Sequence, residues 1–109
     1  MLALKRKVSE SVVISLLSSV VTVTVTGVRH QEVDLIFKNT ASVVMMITLN
    51  CRVATRLCVP IEDQMVEIIV LATDRAKVSL GFKAPLSVVI DRQEVDLNKK
   101  QLMVLHKVG

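Results

Sequence analysis

Two segments of the chain repeat one pattern at a spacing of 45 residues. Residues 32–44 read EVDLIFKNTASVV and residues 77–89 read KVSLGFKAPLSVV, so the two Phe-Lys pairs and the two Ser-Val-Val runs coincide. Phe37 and Phe82 are the only phenylalanines in the chain, and chance agreement among frequent valines does not align them. We infer an internal duplication, which restricts the fold to one that two similar halves can build together.

The alternation of apolar and polar residues predicts strands in both halves. Residues 20–26 read VVTVTVT, a period of two in a segment dominated by β-branched side chains, and this pattern favours strands over helices. Strands are expected at about 2–8, 11–16, 20–28, 32–38 and 42–47 in unit one (residues 1–45), and at about 47–53, 56–61, 65–73, 76–83 and 86–92 in unit two (residues 46–95).

The join between the two units predicts how they are assembled. Residues 42–51 read SVVMMITLNC and include no turn residue, and a small five-stranded sheet buries too little surface to be stable alone. We therefore expect a mainly β fold in which two interlocked five-stranded units form a single-chain pseudo-dimer. A C-terminal helix is expected at about 96–108, with Asp96 as its N-cap.

Composition and cysteine spacing restrict the classes of function. A net charge of +4 and a pI near 9.4 permit an anionic partner such as nucleic acid. Cys51 and Cys58 form neither a CxxC motif nor a Cys/His cluster, so no metal is expected and reduced thiols are favoured over a disulfide. No nucleophile–base pair, carboxylate dyad or phosphate-binding glycine loop is readable, so neither an enzyme nor a cofactor is expected.

An alternative interpretation of the N-terminal region is that it is an export signal. Lys5, Arg6 and Lys7 precede residues 11–28, which carry no charge, and a basic segment before an apolar run resembles a signal peptide or a membrane anchor. The period-two alternation and Glu10 at the start of the run favour a strand instead. We therefore expect a cytoplasmic protein without a membrane segment.

Both ends of the repeat resemble a known family of regulators. The chain opens MLALKRKVSESVVI, and GFKAPLSVVIDRQEV closes its second unit. These segments resemble the carbon storage regulator family, CsrA/RsmA, whose members begin with a Met-Leu-x-Leu-x-Arg-Arg strand and later carry a Gly-x-x-Ala-Pro turn and a strand ending in His-Arg-Glu-Glu. The matching residues are Leu4, Arg6 and Lys7 in the first element, Gly81, Ala84 and Pro85 in the turn, and Arg92 and Glu94 in the last strand. Asp91 and Ser9 depart from the family's His and Gly.

The resemblance implies an RNA-binding function. Family members are about half this long, form interlocked homodimers, and bind GGA-containing loops in messenger RNA leaders through the first strand of one protomer and the last strand of the other. In this chain the implied RNA-binding residues are Leu4, Lys5, Arg6 and Lys7, facing Ile90, Arg92 and Glu94. The implied partners are messenger RNA leaders and small RNAs, bound by a monomeric pseudo-dimer or by a strand-exchanged homodimer.

The corresponding second site is predicted to be degenerate. It would hold Leu49, Asn50, Cys51 and Arg52, facing Met45, Met46 and Ile47. Cysteine and isoleucine then stand where the family has arginines, so one working site and one degenerate site are expected. The alternative is a protein-interaction module that has lost RNA binding and pairs with a CsrA-like partner.

Overall fold

Antiparallel strands make up most of the chain. The structure is a computed structural model and describes residues 1–39 and 45–95. Within these ranges the strands are Leu2–Lys7 (β1), Ser11–Leu16 (β2), Ser19–Arg29 (β3), Glu32–Asn39 (β4), Met45–Arg52 (β5), Arg56–Ile61 (β6), Gln64–Asp74 (β7), Lys77–Lys83 (β8) and Val89–Arg92 (β9). The prediction of a mainly β chain is confirmed. Residues 93–95, at the end of the described range, are helical, and the helix predicted at 96–108 lies outside the described residues.

The strands form two sheets, and each sheet contains strands from both halves of the sequence. Sheet A has the order β1-β8-β7-β6, and sheet B has the order β5-β4-β3-β2-β9. The first strand, β1, pairs with β8 near the end of the chain, whereas β9 pairs with β2 near its beginning. The chain's first and last strands therefore lie at the edges of different sheets.

Alternate residues of both sheets form one hydrophobic core. The side chains that are almost completely buried are mostly valine, isoleucine and leucine, and they include Val12, Ile14, Val23, Val25, Val33, Leu35, Val66, Ile68, Val70, Val78, Leu80 and Phe82. Burying one such side chain stabilises the fold by ~1.5–3 kcal/mol. Because the core includes residues opposite β1 and β9, it fixes both edge strands in place.

Several backbone features recur at the 45-residue spacing. The β3–β4 ladder has a bulge between Val25 and Gly27, and the β7–β8 ladder has one between Val70 and Ala72. The amide of Ser9 donates to the Val25 carbonyl at 2.6 Å, as the amide of Ala54 does to the Val70 carbonyl at 2.7 Å. Ser9 and Ala54 both have positive φ, 73° and 77°, a conformation that glycine adopts without steric cost.

The join between the halves is one continuous strand, not two. Residues 42–44 of the first predicted strand lie outside the described residues; from residue 45 onward the predicted strands 42–47 and 47–53 form one strand, β5, which pairs with β4 from Asn39↔Met45 to Glu32↔Arg52. With no turn residue in the join, nothing in the sequence interrupts this strand. Residues 45–47 and 49–52 therefore follow one another along β5 and do not face each other, so the second site predicted from the sequence was wrong in its geometry.

The last strand begins later than expected. It starts at Val89 instead of residue 86, because the Val88 amide donates to the Pro85 carbonyl at 3.0 Å and closes a turn. Proline fixes φ and offers no amide hydrogen to a ladder. The Ala84-Pro85 sequence thus delays β9 and leaves the Leu86 side chain fully exposed.

Candidate nucleic-acid interface

Strand β1 presents its predicted site residues on two opposite faces. Arg6 lies opposite the buried Val78, and Leu4 lies opposite the buried Leu80, so both side chains point to the core side of sheet A. Successive side chains of a strand point to opposite faces, and Lys5 and Lys7 are accordingly exposed on the outer side. The four residues therefore do not form one cluster of converging cations.

Strand β9 presents its site residues on the core side of sheet B. Ile90 lies opposite Ile14, and Arg92 lies opposite Val12, and both partners are completely buried. Leu4 of β1 and Ile90 of β9 pack against the same hydrophobic core. We call the region between these two edge strands, lined by Leu4, Arg6, Ile90, Arg92 and Glu94, the β1–β9 seam.

Arg6 is buried in this seam and bound through its whole guanidinium group. Only 4% of the residue is exposed. Its Nη1 and Nη2 donate to the two carboxylate oxygens of Glu94 at 3.1 and 3.0 Å, while Nε donates to the Lys5 carbonyl at 2.8 Å and Nη1 also to the Ser11 carbonyl at 3.4 Å. A buried charge is tolerated when it is paired and hydrogen-bonded in this way. Arg6 therefore organises the seam and has few donors left for a ligand.

Arg92 is the accessible guanidinium of the seam. Its side chain is 50% exposed, and its Nε lies 3.9 Å from the Glu94 oxygen that also binds Arg6. The Arg6 hydrogen bond is the main cause that lowers the pKa of Glu94 below its ordinary value, with a smaller contribution from the charge of Arg92. Glu94 thus links two arginines from opposite ends of the chain and leaves most donors of Arg92 open.

The free edge of β1 adds backbone groups to the seam. Alternate residues of an antiparallel strand turn their polar groups to the partner strand. The Lys7 amide donates to the Glu10 carboxylate at 2.7 Å instead of to β8, so the odd-numbered residues of β1 turn away from the ladder. The N–H and C=O of Ala3 and the N–H of Lys5 are consequently presented at the edge.

An apolar groove continues the seam at the start of β1. It has a volume of about 530 Å³, and its lining includes Met1, Leu2, Pro85, Leu86 and Ile90. A Cβ atom on Gly81 would lie 2.8 Å from the Met1 sulfur and 3.2 Å from the Leu71 Cδ1 atom. A side chain at position 81 would therefore require the exposed Met1 thioether to shift. The groove offers aliphatic contact to a ligand bound beside Arg92.

The position equivalent to Arg6 in the second half carries a neutral thiol. Cys51 lies opposite Val33 in β5, as Arg6 lies opposite Val78 in β1, and it is only 4% exposed. Burial, and to a smaller extent the charge of Asp34, raises the pKa of the Cys51 thiol. Cys51 and Cys58 are both free thiols. This part of β5 therefore provides no buried guanidinium to organise a second seam.

A polar network on the outer side of sheet B was not anticipated from the sequence. Arg29 binds both carboxylate oxygens of Asp34 at 2.8 and 2.9 Å, and the Asn50 amide donates to the same carboxylate at 2.8 Å. These bonds, that of Arg29 first, lower the pKa of Asp34 to about 2. A Cβ atom on Gly27 would lie 2.6 Å from this carboxylate, so the glycine makes room for the network. In the sequence, the only sign of this network was that Arg29 and Asp34 flank one hairpin turn.

The structure thus brings together five of the seven predicted site residues. Leu4, Arg6, Ile90, Arg92 and Glu94 line the β1–β9 seam, while Lys5 and Lys7 lie on the other side of β1. Within the described ranges, no group of three or more His, Cys, Asp or Glu residues could hold a metal ion, and no helix is long and apolar enough to cross a membrane. Comparison with protein-family models, curated proteins and solved structures finds no match to this chain.

Proposed function

We propose that the chain is a cytoplasmic RNA-binding regulator that recognises GGA-containing single-stranded loops in messenger RNA leaders, and that it acts without enzymatic chemistry. The observation that carries the proposal is the β1–β9 seam, where Glu94 holds Arg92 beside the free edge of β1. Among the described residues, the seam combines an accessible guanidinium, backbone groups of β1 that do not face β8, and an apolar groove. The resemblance to the carbon storage regulator family indicates RNA as the ligand of the seam.

Each part of the seam has a separate role in the proposed recognition. The planar fork of Arg92 can donate two hydrogen bonds to a guanine edge. Bases in single-stranded loops are unstacked and can be read in this way, and the edge groups of Ala3 and Lys5 can hydrogen-bond a second base. The chain has neither Trp nor Tyr, so aliphatic contact in the groove takes the place of stacking on an aromatic ring.

The strand pairing supports the proposal that the chain is a single-chain pseudo-dimer. The β1–β8 register from Leu2↔Phe82 to Lys7↔Lys77 is repeated, with the halves exchanged, in the β4–β5 register from Phe37↔Ile47 to Glu32↔Arg52. This is the relation that two interlocked protomers would have after fusion. The same pairings could also form between two chains, which would make a strand-exchanged homodimer.

One RNA site per pseudo-dimer is proposed, because the second half lacks the residues of the first seam. Cys51 stands at the position of Arg6, and Ile47, which precedes Arg92 by 45 residues, belongs to β5 and occupies the register position of Leu2. Neither side chain can donate a pair of hydrogen bonds to a guanine. The described part of β5 therefore gives the second half no equivalent of the Arg6–Glu94–Arg92 arrangement.

The proposal is tested by titrating the protein with a hairpin that has GGA in its loop and with a matched hairpin in which both guanines are replaced. Wild-type protein should prefer the GGA hairpin and bind one RNA per chain. Arg92→Met should reduce this preference by about 5-fold to 150-fold, because a bidentate arginine–guanine contact contributes ~1–3 kcal/mol of discrimination. Equal wild-type affinity for the two hairpins would refute the proposal.

A protein-interaction module is the second candidate, and an apolar groove in the second half favours it. The groove has a volume of about 170 Å³ and is lined by Phe37, Ile47, Leu49, Leu57, Cys58, Val59 and Pro60. Ile47, which lines the groove, is 47% exposed, and exposed apolar side chains that lie together are typical of binding surfaces. Native mass measurement with a CsrA-like protein distinguishes the candidates: a stable heteromeric complex that forms without RNA supports this module.

A further inference from the structure

The outer side of sheet A carries a cluster of basic side chains that the seam does not use. We call this cluster the lysine patch; it consists of Lys5 and Lys7 on β1, Lys77 on β8, and Arg75 in the β7–β8 turn. All four residues are exposed. Lys7, Arg75 and Lys77 also line a shallow cavity of about 350 Å³, together with Asp74 and Ala76. The cavity is large enough for a phosphate group.

Two lysines of the patch oppose each other directly across the β1–β8 ladder. Lys7 pairs with Lys77 in this ladder, and Lys5 lies two residues along the same face of β1. Directly opposed residues have Cβ atoms ~4.5–5.5 Å apart, and like charges at this distance are destabilising. The fold thus retains an unfavourable pair of charges at a place where a neutral pair would be more stable.

Two carboxylates lie near the patch and offset only part of its four positive charges. The Glu10 carboxylate is bound to the Lys7 backbone amide at 2.7 Å, and Asp74 lies opposite Lys77 in the β7–β8 ladder. Among residues 1–39 and 45–95, neither carboxylate forms an ion pair within 4.0 Å with the patch, whereas Arg29, Arg52 and Arg56 each have a carboxylate partner. The patch therefore keeps an excess of positive charge for an external anion.

We propose that the lysine patch binds phosphate groups of the same RNA strand whose bases enter the β1–β9 seam. This inference rests on the proposed function and adds a second contact surface to it. The two surfaces share β1: Arg6 points into the seam, and Lys5 and Lys7 point out of it. An RNA strand that crosses the free edge of β1 would place its bases on the seam side and its phosphates on the patch side.

Lysine contacts of this kind contribute affinity without sequence preference. For single strands, each neutralised phosphate changes the slope of log K against log salt by ~0.7, so Lys7→Gln/Lys77→Gln should lower the slope by about 1.4 if each lysine neutralises one phosphate. The ratio of wild-type to variant affinity should then be about sevenfold larger at 50 mM than at 200 mM salt. Arg92→Met should leave most of this salt dependence unchanged.

The control is a variant with the same loss of charge elsewhere. Lys38→Gln/Arg56→Gln also removes two charges, but Lys38 lies on β4 of sheet B and Arg56 lies on β6, at the edge of sheet A opposite to β1. Wild-type protein and both variants are titrated with the GGA hairpin and with an oligouridine of equal length, at several salt concentrations. The patch variant should lose affinity for both RNAs, and the control variant should retain wild-type affinity and slope.

The possible results separate the two proposals. Loss of affinity in the patch variant, with the control unaffected, supports the patch even if wild-type protein does not prefer GGA, in which case only the proposed function fails. A GGA preference with no difference between the patch and control variants overturns the patch and leaves the proposed function intact. If wild-type protein binds neither RNA, both proposals are refuted. The patch variant should melt no lower than wild-type, because the substitution removes a like-charge pair.

Discussion

Replacement of Arg6 tests whether the seam depends on a buried guanidinium. In Arg6→Met a side chain of similar length keeps the packing, but every hydrogen bond of the guanidinium is lost. The Lys5 and Ser11 carbonyls lose hydrogen bonds of 2.8 and 3.4 Å, and the Glu94 carboxylate loses both of its bonds from Arg6. Glu94 is half exposed and can be hydrated, so the main cost is the loss of the hydrogen bonds made by a buried charged group.

The magnitude of the effect follows from those hydrogen bonds. A hydrogen bond to a charged group contributes ~1.5–3 kcal/mol. A loss of ~2 kcal/mol lowers the melting temperature of a domain of this size by about 8–16 °C and lowers the urea midpoint by about 1 M for an m-value near 2 kcal/mol/M. RNA affinity should also fall, because Arg92 loses the carboxylate arrangement that positions it.

The assay is urea unfolding followed by far-UV circular dichroism, since the chain has no Trp or Tyr for fluorescence. Arg92→Met is the matched control: its guanidinium is half exposed, and surface substitutions usually change stability by less than ~0.5 kcal/mol. We expect Arg6→Met to reduce stability and RNA affinity, and Arg92→Met to reduce RNA affinity alone. Equal urea midpoints for the two variants would contradict this explanation.

Three further predictions follow from single residues. Ala54→Gly should raise the free energy of unfolding by about 0.5–1 kcal/mol, because glycine removes the steric cost of the positive φ; an unchanged urea midpoint would contradict it. Glu94→Gln should destabilise the fold at pH 7 but not in acid. The lowered pKa of Glu94 contributes stability that is present above the ordinary pKa of a glutamate and is lost as the pH falls through the lowered pKa. A stability difference between variant and wild-type that persists at pH 2 would exclude this cause. Cys58 should be alkylated rapidly in the native state and the buried Cys51 only on unfolding, and equal rates by mass spectrometry would show that the Cys51 side chain is not buried as described.

The sequence was sufficient to predict the strands and much of their spacing. Period-two alternation located every described strand except the one continuous strand at the join, and the predicted strand 11–16 matches β2 residue for residue. The error at the join had a readable cause, because a segment without any turn residue gives the chain no place to break β5. Pro85 is a turn-forming residue that the sequence also showed, and the turn at this position explains the late start of β9.

The site was harder to predict, because it depends on long-range contacts. That Arg6 and Lys7 point to opposite faces follows from strand alternation alone and could have been predicted. The hydrogen bonds between Arg6 and Glu94 could not have been predicted, since they join residues 88 positions apart and depend on how the edges of the two sheets meet. The resemblance placed both residues in one site but did not distinguish a structural arginine from a binding one.

Selection of bound RNAs from a random pool tests the central proposal most directly. We predict that wild-type protein enriches sequences with GGA in an unpaired loop, and that Arg92→Met selected in parallel loses this enrichment while remaining folded. A wild-type selection that recovers no common sequence, or the same enrichment by Arg92→Met, would contradict the assignment of the β1–β9 seam to RNA.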